Sequence, residues 1–164
     1  MKSTFWQPAN ETSESVREQM VTLLNQLLAD AIDLGLQAKQ AHWNVKGSQF
    51  ASLHAFFDEA ADIFHDVGDQ LAERAVSLGG IAQGTLQAVS TTTRLPAYAA
   101  EILDGADHLR ALAVSIAPFA RSSRLAIDIA TGASDALTAD LLTEISRSVD
   151  KLYWQLTAHL STPR

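Results

Sequence analysis

Two histidines and a carboxylate, His42, His54 and Asp58, flank the turn signal Asn44-Val45-Lys46-Gly47-Ser48. If helices run into and out of that turn, both imidazoles and the carboxylate reach the same end of a hairpin. Such a donor set suits a borderline divalent ion such as iron(II) or zinc. Asp69 and Glu73 make a second i, i+4 pair on the second of these helices. Asp69 stands roughly 16 Å beyond Asp58 along a helix axis, too far for one metal site within a single chain. With His54 at 0° and about 100° per residue, His65, Asp58, Asp69, Asp62 and Glu73 fall at about 20°, 40°, 60°, 80° and 100°. Phe50, Leu53, Phe57, Phe64 and Leu71 fall instead at about 260–320°. The donors therefore form a stripe beside the apolar face. Carboxylates alone at this spacing describe a solvated charged face, and the histidines are what point to metal.

A two-fold axis near Ile63 would reconcile the two ends of the stripe. An antiparallel copy of the same helix brings His54 and Asp58 of one chain to Asp69 and Glu73 of the other, giving two identical sites per dimer. Ala60, Ala61 and Gly68 are small enough for a close approach. A centre inside one bundle would instead call for Glu-x-x-His pairs on the core face. The nearest pattern, Asp62-Ile63-Phe64-His65, lies on the stripe.

Four long helices must position these residues. Apolar spacing predicts the first over 15–45, with Ser15 and Glu18 as a capping box and Gly47 as the left-handed residue beyond its end. The second is predicted from a Ser48 cap to Leu78, ended by Gly79-Gly80. The third is expected over 99–130 with Pro118 kinking it or opening it locally, and the fourth over 138–160. Residues 86–89 suggest a short helix inside a long connection. Short loops make helices one and two, and helices three and four, antiparallel pairs, whereas a connection of about twenty residues between the pairs can cross a bundle. The expected fold is all-α, a ferritin-like four-helix bundle with a long crossover between helices two and three containing a short helix. The predicted domain occupies residues 15–164, after an N-terminal extension of residues 1–14.

Composition agrees with a single folded domain. The chain has 164 residues, 47% hydrophobic and 19% charged, with eight glycines and four prolines, which excludes disordered and collagen-like classes. The absence of cysteine excludes disulfide frameworks, cysteine zinc sites and thiol nucleophiles. No stretch reads as a secretory signal or a membrane span, so a soluble, cytoplasmic protein is expected. The net charge of −7 argues against a chain that coats nucleic acid.

The stretch from Lys39 through His42-Trp43-Asn44-Val45-Lys46-Gly47, then Phe50, Leu53-His54, Asp58, Asp69 and the run Ala72–Gly80, resembles the signature of the Dps family, the bacterial mini-ferritins. Weaker similarity continues through Asp107-His108-Leu109, Thr138-Ala139-Asp140, Asp150-Lys151 and Trp154. The resemblance implies a hollow dodecamer built on two-fold dimers. Such a cage oxidises iron(II), preferentially with hydrogen peroxide, and stores the ferric product, protecting against oxidative damage. It implies that His42, His54 and Asp58 are iron ligands from one subunit, and Asp69 and Glu73 ligands from its partner. It also implies that Trp43 is able to donate an electron, although the residue alone reads as a packing or interface aromatic.

Asp62 and His65 are candidate accessory ligands or proton relays, the alternative being buried hydrogen-bonding partners. His108 and His159 belong to no such constellation. Asp128, Asp135, Asp140 and Glu144 surround the start of helix four. Asp135 and Asp140 are the candidates for an acidic three-fold pore of the kind the resemblance implies, the alternative being helix capping. Where such proteins bind DNA they commonly use lysine-rich tails. Residues 1–18 carry Lys2 and Arg17 against Glu11, Glu14 and Glu18, so DNA binding is expected to be weak or absent. A nucleoid-associated structural protein with a secondary metal site is the alternative function, and a helical assembly that holds zinc without turnover is a third.

Overall fold

A computed structural model describes residues 12–161, and the tails on either side, including most of the expected N-terminal extension, lie outside the described residues. Five helices and no strand occur among the described residues: α1 (Glu14–Asn44), α2 (Phe50–Ser77), α3 (Leu86–Thr92), α4 (Gly105–Gly132) and α5 (Ala136–Leu160). The pairs α1/α2 and α4/α5 pack as antiparallel hairpins, and α1 also packs against α4. The α2–α4 connection carries α3 and lies along α1. The architecture is the expected all-α bundle with one crossover.

The helix ends show which local signals prevailed. Ser13, rather than Ser15, caps α1, its hydroxyl accepting from the Val16 amide at 3.4 Å. Gln49 occupies the α2 cap position and makes no side-chain capping bond, so Ser48 is not the cap. Gly47 and Gly79 take φ of 109° and 87°, a region that suits only glycine without strain. The third long helix begins at Gly105 instead of residue 99, because Asp104 receives the amides of Ala106 and Asp107. The crossover is longer as a result. Pro118 sits within α4, which continues past it to Gly132. The missing amide there is tolerated by a helix whose stability comes mainly from its buried face.

That buried face defines the position of the donor stripe. Leu53, Phe57, Phe64 and Leu71 of α2 are fully buried among Leu24, Leu27 and Leu34 of α1 and Leu112, Ile116 and Phe119 of α4. Each such side chain contributes about 1.5–3 kcal/mol through removal from water. The rotation of α2 is set by this face, and the stripe follows at its edge. Phe50 departs from its expected place in the core and is half exposed, its ring stacked 4.9 Å from that of His54.

Polar contacts pin the loops to the bundle. The Lys46 amide donates to the Leu103 carbonyl at 2.9 Å, tying the α1–α2 turn to the start of α4. Buried Asp30 on α1 receives both the backbone amide and the guanidinium of Arg94, and Asp33 receives the Thr93 hydroxyl at 2.7 Å. These carboxylates hold the return segment of the crossover against α1.

Candidate metal centre

His42, in the last turn of α1, and His54, in the first turns of α2, face each other across the hairpin. Their rings stack with centroids 3.7 Å apart and planes 22° from parallel. His42 Nδ1 donates to the His54 carbonyl, and His54 Nδ1 donates to the His42 carbonyl, each at 2.8 Å. A carbonyl can only accept, so these bonds fix the proton of each neutral ring on Nδ1. The Nε2 lone pair of each imidazole is left for a ligand, the backbone carbonyl serving as the outer partner that metal-binding histidines require.

Asp58 stands one turn beyond His54, and its Oδ1 lies 3.8 Å from His42 Nδ1. Its carboxylate makes a close ion pair with the Lys39 ammonium. That hydrogen bond, supported by His42 and His54, holds the Asp58 carboxyl below the usual carboxylate range and raises the lysine. Asp58 is thus kept ionised, as a metal ligand must be. Lys39 was not singled out as a site residue from sequence. The available signal was its i, i+3 relation to His42, which sets both on one face of α1.

Asp62, His65, Asp69 and Glu73 are all exposed on α2. The buried setting considered for Asp62 and His65 is therefore not found in the single chain. Among the described residues, no three His, Asp or Glu side chains of one chain converge as a metal site. The structure stacks His42 on His54 and sets Asp58 beside His42 and Lys39, without the three converging on one point, and it leaves Asp69 and Glu73 further along the helix. Between the two groups lies an open groove of about 530 Å³ formed by α1 and α2, with Ile32 and Gly68 in its apolar wall and Lys39, Asp62, His65 and Asp69 along it. Trp43, next to His42, is two-thirds exposed.

The two pore candidates part company. Asp140 is exposed on α5. Asp135 is buried, caps α5 through the Thr138 amide and hydroxyl, and accepts a 2.8 Å bond from Arg74. Its carboxylate is committed to holding α2 and α5 together and does not face solvent, a correction to its expected pore role. Arg74, which follows Glu73 on α2, also donates to the Thr138 hydroxyl at 2.8 Å. Sequence reasoning missed this link because it joins residues far apart in the chain.

Comparison with known proteins agrees with this architecture. The ferritin-like domain family matches residues 21–164. The chain is 44% identical over 151 residues to the DNA protection during starvation protein of Agrobacterium fabrum, an alignment covering 92% of this chain and 93% of that one. Its fold superposes on DpsC from Streptomyces coelicolor with a TM-score of 0.93 at 26% identity, covering 98% of this chain and 94% of that one. It also superposes on Dps from Microbacterium arborescens in the high iron form, with a TM-score of 0.87 at 29% identity, covering 96% and 100% of the two chains. A ferritin-like bundle with one crossover, the histidine pair across its first hairpin and a full-length relative at this identity lead to one conclusion: the chain belongs to the Dps family of ferritin-like proteins.

Proposed function

We propose that the protein is a ferroxidase and iron-storage cage that consumes iron(II) and hydrogen peroxide together. The observation that carries this reading is the reciprocal bonding of His42 and His54 through Nδ1, which leaves each Nε2 for a ligand, one helical turn from the ionised Asp58. Iron(II) is the substrate. His42, His54 and Asp58 bind it from one subunit, and Asp69 and Glu73 from the two-fold partner, whose α2 lies antiparallel along the groove between α1 and α2. Each dimer carries two such sites, and the dimers recur around a dodecamer.

The donor set has a direct chemical consequence. Three carboxylates favour the higher charge of iron(III), while two neutral imidazoles hold iron(II) without saturating it. Oxidation is therefore favoured once an oxidant arrives. Two iron(II) ions supply the two electrons that reduce one hydrogen peroxide, with two protons, to two waters. No hydroxyl radical is released when both electrons arrive together, and this is the basis of the protective role. Ferric product collects as mineral inside the cage. Asp140 on the exposed start of α5 remains the candidate for an acidic entry path that concentrates iron(II). The weakly charged N-terminal segment gives little electrostatic grip on DNA.

The test compares iron(II) oxidation by hydrogen peroxide and by air in wild type, Asp58→Ala and His54→Ala. Fast peroxide-driven oxidation in wild type, lost in both variants while assembly size is unchanged, is the expected result. Equal slow rates in all three proteins would refute the reading and make the stripe an interface only.

A further inference from the structure

Half-buried Tyr98 and buried His108 form a pair that the iron reaction as described does not use. Tyr98 lies in the crossover, and its Oη stands 2.6 Å from Nδ1 of His108 in the first turn of α4. This is at the short end for a hydrogen bond between a hydroxyl and a nitrogen. The two rings are nearly parallel, 13° apart, with centroids at 6.1 Å. His108 is fully buried, and its Nε2 has no hydrogen-bonding partner among the described residues. A buried polar atom without a partner invites a role beyond packing.

The surroundings set the protonation states. Burial lowers the basicity of His108 against the opposing effect of Asp104 and Asp107, so the imidazole is neutral and Nδ1 is able to accept a proton. Desolvation pushes the Tyr98 phenol upward, so it keeps its proton near neutral pH. The phenol is thus a poor acid toward water but is already in contact with a base. The His108 ring also meets Phe57, with centroids 5.8 Å apart and planes at 63°. Phe57 immediately precedes Asp58 on α2, so the pair is joined by packed aromatic rings to the helix that carries the metal ligands.

We propose that Tyr98 and His108 act as a proton-coupled electron donor to the iron-oxidising centre, an inference that rests on the ferroxidase reading above. It operates when peroxide meets a site holding a single iron(II). That ion gives one electron, forming iron(III), hydroxide and a hydroxyl radical. Tyr98 supplies the second electron, by way of His108 and Phe57, and the radical is reduced to hydroxide. The phenol O–H bond breaks, its proton moves to Nδ1 of His108, and a neutral phenoxyl radical remains beside an imidazolium. Transfer of the proton with the electron avoids a phenol radical cation, which partial removal from water would disfavour.

The sequence contains two tyrosines, so Tyr153→Phe leaves Tyr98 as the sole source of a phenoxyl signal. The assembled full-length variant is mixed with iron(II) below one ion per site and with hydrogen peroxide, then rapidly frozen for electron paramagnetic resonance. A phenoxyl signal that narrows with ring-deuterated tyrosine, and is absent after the further change Tyr98→Phe, is expected. In a second arm a flash-generated ruthenium(III) polypyridyl oxidises the same protein without iron. There, a solvent deuterium isotope effect is expected, and His108→Gln should slow phenoxyl formation about a hundredfold, as loss of a positioned base does. Should His108→Gln not fold, the isotope effect decides whether the proton moves with the electron.

Fast iron oxidation by peroxide with no Tyr98 signal would overturn this proposal and leave the ferroxidase intact. Equal flash rates with and without His108, or no isotope effect, would also overturn it. A wild type that does not oxidise iron(II) with peroxide would overturn the ferroxidase reading itself, and the proposed donor with it, whatever the flash arm gives.

Discussion

Lys39 and a metal ion compete for the same carboxylate. The ammonium sits on Asp58 and lies at the end of the groove where the proposed partner helix would arrive. Binding of a cation to Asp58 must displace or rearrange that ion pair. Both side chains are more than a third exposed, and exposed pairs of this kind contribute little. Lys39→Met should therefore strengthen divalent binding only modestly, by up to about fivefold. Calorimetric titration with zinc, which undergoes no oxidation, measures this directly. Weaker zinc binding in the variant would show that the lysine helps form the site instead of competing for it. The histidines differ from Lys39 in that their geometry is fixed before any ion arrives: each ring is held by a main-chain carbonyl of the opposing helix. Rotation of either imidazole would break one of these bonds, so the hairpin itself preorganises the donors.

At the scale of the elements, the buried Asp135 carboxylate holds two helices at once. It caps α5 and pairs with Arg74 of α2, with both side chains largely buried. Asp135→Ala removes the cap and leaves the guanidinium without its partner. A destabilisation of about 3–5 kcal/mol is expected from breaking a buried pair, whereas Asp135→Asn keeps a capping oxygen and should cost less. Thermal unfolding of the two variants would give that order, and equal losses would assign the whole effect to the ion pair. His108 gives a second element-level prediction, because it fastens the crossover to α4 through Tyr98. Its folded-state pKa is lowered by burial, so the unfolded chain binds the proton more readily. Its contribution to stability is fully present above the ordinary histidine value of about 6.5 and is lost progressively as pH falls below it. Wild type should therefore lose more thermal stability between neutral and mildly acidic pH than His108→Gln, as followed by circular dichroism. The same residues show what sequence could reveal. The four long helices and the donor stripe were legible because apolar periodicity and glycine punctuation are local signals. The start of α4 was not, since Asp104 competed with an equally apolar run before it. The buried role of Asp135 was hidden because burial depends on Arg74, a residue 61 positions away.

For the whole molecule, the decisive property of the proposed site is that no single chain completes it. His54 and Asp58 lie at one end of α2, with Asp69 and Glu73 toward the other. A two-fold axis exchanges those ends, whereas a site built within one bundle would be indifferent to its neighbour. Complementation between two inactive chains separates these cases. One chain carries His54→Ala and Asp58→Ala, and the other Asp69→Ala and Glu73→Ala. Each assembled alone should oxidise iron(II) with peroxide slowly, because every site lacks two donors. When the chains are co-expressed and assembled at random, half of the dimers are mixed. Each mixed dimer joins the intact halves in one site and the damaged halves in the other. About a quarter of the wild-type activity should then return, from half the dimers each bearing one complete site of two. Recovery must also vanish when the two preparations are combined after assembly without subunit exchange. If the co-assembled protein stays as inactive as its parents while mass spectrometry shows mixed dimers, the donors are not shared across the two-fold axis.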